Sequence, residues 1–308
     1  MTRFLVSGLI NIETTLRIER FPLEYNPVNF PFFGIQSGVS GVGYNLAKAL
    51  TRLGNDVEFL SMVGKDAAGQ LVMNALREDQ IPSAGVLQKL EQTPQSVILY
   101  DSQGKRQIHT DLKNIQEQIY PPAEAEQVLT ACDVAVLCNI NFSRPLLVKA
   151  RRLGKPIATD VHAVGDLEDD YNRDFMQFAD ILFMSHEKLP LAPEEWIRVV
   201  RDRCPARIIV VGLGSRGCLL AERGREDVEH IPAVSTRPVQ NTIGAGDALF
   251  SAFLHAFFRG DLASQALHKA VVFASHKIGA VSAADGFLDA DGLEALYRQT
   301  ARLNGTLT

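Results

Sequence analysis

The chain has few cysteines, and they form no metal-binding pattern. Four occur in 308 residues, none belongs to a CxxC pair, and the seven histidines are scattered. The four are Cys132, Cys138, Cys204 and Cys218. We therefore expect neither a zinc site nor a disulfide framework, and such cysteines are typical of a reducing compartment.

Long hydrophobic runs are also missing. The apolar run at the N-terminus, Phe4 to Ile10, is followed by the polar residues Asn11 and Glu13. A membrane-spanning helix needs about 20 apolar residues, so this run is more typical of a first buried strand. We read no signal peptide in it and expect a cytoplasmic protein without a membrane partner.

The sequence has no strong excess of charge. Thirty-one lysines and arginines face 36 aspartates and glutamates, which gives a net charge of -5 and a pI near 5.8. Nothing in this balance indicates the basic surface that nucleic-acid-binding proteins carry, and we expect no nucleic-acid partner. It does not exclude a phosphate-using enzyme, because phosphate sites can be made from backbone N–H groups and metal ions.

The most informative stretch is a glycine-rich turn that runs from Asn241 to Asp247 and has Gly244, Ala245 and Gly246 at its centre. It leads into an apolar segment at 248–258, which we predict to be a buried helix that Gly260 ends. Small residues before a helix let an anion approach the free N–H groups of its first turn.

Asp247 has two interpretations. It could cap the helix, or it could take a proton from a hydroxyl beside the bound anion. A cap does not require the Gly-Ala-Gly sequence before it, nor a helix that is apolar on nearly every side. The second interpretation is therefore favoured.

Apolar strand candidates alternate with helical segments along the chain. This alternation predicts an α/β fold class, a doubly wound and mostly parallel sheet flanked by helices, in a single domain over residues 1–308. The later strand candidates are Asp56–Val63, Asp133–Cys138, Pro156–Val161, Asp180–Met184 and Arg207–Gly212. The predicted helices include 46–53 before Gly54, 67–80 with Asp66 as N-cap, 262–277 with Asp261 as cap, and 289–303.

The turn at 241–247 resembles the C-terminal signature of the PfkB family of carbohydrate and nucleoside kinases, usually Asp-Thr-x-Gly-Ala-Gly-Asp. Asn241 stands where the family has Asp. The resemblance implies a ribokinase-like fold with a small β lid. It also implies that Asp247 is the catalytic base, that residues 244–246 form the anion hole, and that Thr242 borders the nucleotide.

Three further places resemble the substrate side of that family. Asn11 and Glu13 match its Asn-x-Asp after the first strand, with Glu in place of Asp. Gly41 and Asn45 match its Gly-Gly-x-x-x-Asn-x-Ala, with serine in place of the first glycine, although Asn45 could instead bond the helix start. Asn141 follows another strand end, where relatives bind substrate; Asn139, Asp160 and His162 are pocket candidates by position alone.

The nucleotide side is implied by two more segments. Gly212, Gly214 and Gly217 resemble the family's Thr-x-Gly-x-x-Gly loop, with glycine in place of threonine. His276 resembles the polar residue near the adenine, or is a surface histidine.

A metal site is implied by the family's Asn-x-x-Glu. Here Met184 replaces the asparagine and Glu187 remains, either as the metal-side carboxylate or as an exposed charge before a helix. The resemblance thus implies ATP and Mg²⁺ as cofactors and leaves room for a monovalent cation.

The lid is expected at about 12–36 and 96–112, where short alternating segments surround a turn-rich connector at 101–105. An apolar lid sheet often doubles as a dimer face, so a homodimer through the lid is an expectation.

These signals predict an ATP-dependent phosphotransferase that acts on a hydroxymethyl group of a small sugar. One alternative is a nucleoside kinase of the adenosine or pseudouridine type, whose base would be walled by Phe30, Phe32 or Phe33. Another is a protein with the kinase fold that binds its ligand but has little catalysis.

Overall fold

The computed structural model describes residues 1–303, which form two β-sheets and the helices around the larger one. Thirteen strands lie in this range: β1 Arg3–Ser7, β2 Asn11–Arg17, β3 Ile35–Ser40, β4 Asp56–Gly64, β5 Val86–Leu90, β6 Gln95–Tyr100, β7 Arg106–Asp111, β8 Val134–Leu137, β9 Ile157–Asp160, β10 Ile181–Ser185, β11 Ile208–Gly212, β12 Cys218–Glu222 and β13 Val228–Ile231. Nine α-helices lie in the same range: α1 Val42–Arg52, α2 Ala67–Glu78, α3 Pro122–Ala131, α4 Arg144–Arg152, α5 Arg173–Phe178, α6 Pro193–Arg203, α7 Ala245–Phe258, α8 Ala263–Lys277 and α9 Ala290–Leu303.

The larger sheet has nine strands in the order β13-β12-β11-β10-β9-β8-β1-β4-β5. The strands from β11 to β5 in this order run parallel, and β12 alone runs in the opposite direction, antiparallel to both of its neighbours β11 and β13. The chain order reverses between β1 and β8, which makes this a switch point where open α/β sheets bind ligands. The predicted fold class is confirmed.

Alternating strand residues face two separate hydrophobic cores. Phe4 and Val6 pack into the core beneath α1, α2, α7, α8 and α9, whereas Leu5 packs into the core beneath α3 to α6. Both faces of the sheet are therefore covered, as the nearly continuous apolar strands require.

Helix α7 is largely enclosed in the protein, with nine of its 14 residues buried. Its Phe250 and Phe253 rings lie 4.8 and 5.2 Å from that of Phe183 on β10. The polar residues Ser251 and His255 are buried as well: the Ser251 hydroxyl donates to the Asp247 carbonyl, and His255 contacts Asn55.

The second sheet is the lid, with strand order β3-β2-β6-β7. The predicted lid strands between 14 and 36 are wrong for most of that segment, because residues 18–34 contain no strand. Pro22, Pro27 and Pro31 interrupt strand hydrogen bonding there. Strand β3 instead continues to Ser40, beyond the predicted limit.

Several predicted boundaries need correction. Strand β1 ends at Ser7 rather than Ile10, and α7 begins at Ala245, so Ala245 and Gly246 belong to its first turn. Asp261 does not cap α8; its carboxylate instead pairs with Lys269 at 2.8 Å.

Two predicted helix ends are confirmed. The Asp66 side chain accepts from Gly69 N at 2.8 Å as an N-cap, and Gly54 has the left-handed φ of +80° after α1.

The described part of the chain contains no helix long and apolar enough to cross a membrane. All four cysteines are free and buried.

We expect Phe250→Ala to lower the free energy of unfolding by about 3–5 kcal/mol, because it leaves a cavity between α7 and the sheet. Urea unfolding followed by circular dichroism measures this change. Leu71→Ala, on an exposed position of α2, is the control and should stay within about 0.5 kcal/mol of wild type. Equal effects of the two substitutions would contradict the central position of α7.

Candidate active site

The site is built around a carboxylate in the first turn of α7. Asp247 is 8% exposed, and its Oδ2 accepts a hydrogen bond of 2.7 Å from Asn45 Nδ2 on α1. Burial raises the pKa of Asp247, while the bond from Asn45 and the nearby Lys277 oppose that rise. A carboxylate with a raised pKa is a better proton acceptor near neutral pH.

A chain of polar contacts leads from Asp247 to the lid. Ser40 Oγ lies 3.4 Å from Asn45 Oδ1 and donates a hydrogen bond of 3.0 Å to Glu13 Oε2. Burial also raises the pKa of Glu13, although the bond from Ser40 lowers it. The structure therefore brings together Glu13, Asn45 and Asp247, three of the residues that the sequence predicted.

Asn11 lies at the same end of the lid. Its Nδ2 donates to Ser96 Oγ at 2.9 Å, whereas its buried Oδ1 has no hydrogen-bond partner among the described residues. A buried acceptor without a partner costs free energy, so a ligand hydroxyl that donates to it would be bound favourably.

The turn before α7 is held by its own side chains. Gly244 has a φ of +76°, and a Cβ there would lie 2.5 Å from Ala283 O, so this position requires glycine. Asn241 Oδ1 accepts from Ile243 N at 2.8 Å, and its Nδ2 donates to Val281 O at 3.0 Å. A carboxylate could not make the second bond, which explains the departure from the family's Asp.

A lysine lies directly beneath this turn. Lys277, at the end of α8, is 0% exposed, and its Nζ donates to Ile243 O. Burial lowers the pKa of Lys277 to about 8, and Asp247 and Glu13 oppose the shift. The site thus contains two buried carboxylates and one buried ammonium group.

Three of the predicted nucleotide residues, Gly212, Gly214 and Gly217, lie at the end of β11 and around the turn that follows it. Gly212 ends this strand, and His186 Nδ1 lies 3.0 Å from its carbonyl oxygen. Gly214 and Gly217 flank the following short turn, with φ of +62° and +93°. His276 is half-buried, with Nδ1 3.1 Å from Gly286 O, and burial lowers its pKa.

The lid reaches the turn before α7 through Arg106 on β7. Its guanidinium lies 3.5 Å from Thr242 Oγ1 and 3.3 Å from Glu187 Oε1. Arg106 therefore contacts both the carboxylate predicted for the metal site, Glu187, and the hydroxyl predicted for the nucleotide site, Thr242.

Two carboxylates follow neighbouring parallel strands here. Asp160 ends β9, and its Oδ2 lies 3.8 Å from where a Cβ on Gly246 would be; Glu187 follows β10. No group of three or more potential metal ligands occurs in residues 1–303. Mg²⁺ usually takes one or two carboxylates with waters and phosphate oxygens, so these residues fit that ion. Met184 is packed in the hydrophobic core and offers it no ligand.

Two predicted substrate residues, Asn141 and Gly41, have local structural roles. Asn141 donates from Nδ2 to Gln116 O at 3.0 Å. Gly41 has a φ of +108°, and a Cβ there would lie 2.7 Å from Leu9 O. Both roles in substrate binding remain predictions.

Sequence reasoning missed Lys277 and Arg106 and left Asp160 without a role. The sequence did carry a signal for Lys277, because this residue continues the apolar stripe of α8 four residues beyond Phe273. Arg106 had none, because its partners lie in distant parts of the sequence.

The comparison with protein families agrees with this geometry. The profile that describes the pfkB family of carbohydrate kinases matches residues 1–290. The chain belongs to the PfkB family. It is an ATP-dependent carbohydrate kinase with the ribokinase-like fold.

Individual relatives are distant but extend over most of the chain. The acarbose 7(IV)-phosphotransferase of an Actinoplanes species is 25% identical over 262 residues, covering 84% of this chain and 86% of its own. The fructokinase of Klebsiella pneumoniae is 28% identical over 235 residues, covering 70% and 75%. Among solved structures, the microbiome-derived acarbose kinase Mak1 superimposes with a TM-score of 0.84 at 25% identity, covering 96% of this chain and 99% of its own.

We expect Glu13→Gln to raise the KM for the sugar acceptor by at least about 10-fold and to change that for ATP by less than about 2-fold. Losing one charged hydrogen-bond acceptor costs about 1.5–3 kcal/mol in binding. Steady-state kinetics with each substrate varied in turn measures both constants.

Thr14→Val, at the neighbouring position on the opposite face of β2, is the matched control and should leave both constants unchanged. A similar rise in both KM values for Glu13→Gln would place Glu13 outside the sugar site.

Proposed function

We propose that this PfkB kinase transfers the γ-phosphoryl group of ATP to a hydroxymethyl group of a small sugar. The observation that carries the proposal is the polar chain from Glu13 through Ser40 and Asn45 to Asp247. These contacts connect the proposed hydroxyl-binding groups in the lid with the proposed base, Asp247, at the N-terminus of α7.

Each part of the site then has one task. Glu13, Asn11 and Asn45 bind sugar hydroxyls, and Asp247 accepts the proton of the reacting hydroxyl. The N–H groups of Gly244 and Gly246 and the positive end of α7 hold the transferred phosphoryl group. Ala245 lies between them, and its own N–H donates to Thr242 O at 3.2 Å, which keeps the turn in shape.

Two further sets of residues would act on the phosphates of ATP, one through a metal ion and one from the lid. Asp160 and Glu187 would hold Mg²⁺, which supplies charge neutralisation of the phosphates when bound. Arg106 would reach the same phosphates from the lid, because it already contacts Thr242. Closure of the lid over this site excludes water and limits hydrolysis of ATP.

A sugar is favoured over a nucleoside by the aromatic residues of the lid loop. Phe30, Phe32 and Phe33 are 75%, 85% and 98% exposed, so they do not form the apolar wall predicted for a base. The buried groups nearest Asp247 are polar, as hydroxyl recognition requires. Acarbose, fructose and related sugars are the first acceptors to test, since relatives are named for them.

We expect Asp247→Asn to lower kcat by at least about 100-fold, because the amide cannot take the proton, while ATP still binds. A coupled assay over a panel of sugars and nucleosides measures turnover, and calorimetry measures ATP binding. The wild type should show an acid limb at higher pH than an ordinary aspartate would give, since burial raises the pKa of Asp247.

Unchanged turnover in Asp247→Asn would remove the base assignment. Turnover by the wild type with nucleosides alone would favour the nucleoside kinase. Tight binding of one compound without turnover of any would favour the ligand-binding alternative.

The outer face of the lid supports a homodimer. Leu16, Ile35, Val97 and Leu99 lie side by side on that face by strand register, and Ile35 and Val97 are exposed. Exposed apolar patches of this kind are typical of protein–protein interfaces. A second copy of the chain would cover them through the same patch.

We expect the wild type to have the molar mass of a dimer and Val97→Glu that of a monomer, because the substitution places a charge in the apolar interface. Light scattering after size-exclusion chromatography measures the mass. Leu71→Glu, at an exposed leucine on α2, is the control and should remain dimeric. A monomeric wild type would rule out the proposed interface.

A further inference from the structure

Lys277 is the one lysine that lies wholly inside the described part of the protein. It occupies the last turn of α8, and its ammonium group lies under the turn that leads into α7. Lysine is rarely fully buried, because removing an ammonium ion from water is costly. A buried lysine without a salt-bridge partner therefore needs a specific reason.

The hydrogen bond of Lys277 fixes one residue of the turn before α7, Ile243. Its Nζ donates to Ile243 O, and Asn241 Oδ1 accepts from Ile243 N at 2.8 Å. Both polar groups of Ile243 are thus fixed by side chains. Ile243 immediately precedes Gly244, the first residue of the proposed phosphoryl-binding turn, so its orientation sets the orientation of the N–H groups that follow.

The electrostatic surroundings suit a positive charge. Asp247, Glu13 and Asp285 all favour the ammonium form of Lys277, and Arg237 opposes it. Although burial lowers the pKa of Lys277 to about 8, the group is mostly charged at neutral pH. Its charge in turn favours the ionised form of Asp247, which is the form that accepts a proton.

We propose that Lys277 is a positioning residue that serves as a built-in cation beneath the phosphoryl-binding turn. Its ammonium group holds the Ile243 carbonyl and adds positive charge behind the N–H groups of the turn and behind Asp247. This assignment rests on the proposed function and predicts that the turn needs no dissociable monovalent cation at this position.

The test uses two substitutions that both remove the charge of Lys277 but differ in the volume of the side chain that replaces it. Lys277→Ala leaves a cavity, and Lys277→Met fills the same volume without charge. We expect both to lower kcat by about 10- to 100-fold, less than the roughly 100- to 1,000-fold lost when a direct donor to an oxyanion is removed, because Lys277 acts through Ile243. Ethylammonium should restore part of the kcat of Lys277→Ala but none of that of Lys277→Met.

Tetramethylammonium at equal ionic strength is the control for rescue, because it carries the charge but cannot donate a hydrogen bond. Lys269→Met is the matched control on the same helix. Lys269 pairs with Asp261 and Glu294 away from the turn, so its loss should change stability but leave kcat within about 2-fold of wild type.

A structural lysine would behave differently. Its removal would lower the melting temperature and reduce activity only through the unfolded fraction, whereas we expect folded Lys277→Met with an unchanged or higher melting temperature. Wild-type kcat in folded Lys277→Met, or no rescue of Lys277→Ala by ethylammonium, would overturn the proposal.

Binding provides a second readout that does not need turnover. We expect Lys277→Met to weaken the ATP analogue AMP-PNP about 10-fold and ADP less than about 2-fold, because only the former fills the turn. An equal effect on both would overturn the inference about Lys277. A wild type that turns over no acceptor would overturn the proposed function alone, since the binding comparison still decides the role of the lysine.

Discussion

The burial of one carboxylate at the start of an apolar helix is the constraint on which the site depends. Asp247 cannot remain charged there without compensation, because desolvation favours its neutral form. Asn45 supplies a hydrogen bond, the first turn of α7 supplies N–H dipoles, and Lys277 supplies charge. These three partners belong to three helices, so the position of the base requires α1, α7 and α8 to pack correctly against one another.

The lid and the phosphoryl-binding turn are joined by packing as well as by charge. Ile98 on the inner face of the lid forms a small apolar cluster with Ile243 and Ala283, and Arg106 contacts Thr242 from the same sheet. A change in the lid would therefore alter the packing of the turn that we propose to hold phosphate. This arrangement gives a physical route by which acceptor binding can prepare the phosphate side before transfer.

The sequence predicted the fold well because the parallel strands are short apolar runs separated by helical periodicity. Local motifs also predicted Asp247, Asn45 and Glu13 as site residues; the structure brings these three side chains together, and their roles remain predictions. Sequence reasoning failed where partners are distant in sequence: Arg106 meets Glu187 across 81 residues, and no local pattern shows that pairing. The strands predicted within 18–34 were wrong because the apolar residues there are exposed in a proline-interrupted loop rather than packed.

The presence of Asn241 in place of the family's aspartate is related to the burial of Lys277 beside the same turn. Position 241 is buried, and a carboxylate there would add a third negative charge to those of Asp247 and Glu13 while losing the donor bond to Val281. Asparagine keeps the bond to Ile243 N without that charge, so the carboxylates that act on Lys277 are those of Asp247, Glu13 and Asp285 and position 241 adds none. The turn is thus held by the neutral side chain of Asn241 on one side and by the ammonium group of Lys277 on the other. The positive charge of Lys277 then acts on Asp247 and, in our proposal, on the phosphoryl group bound at the turn.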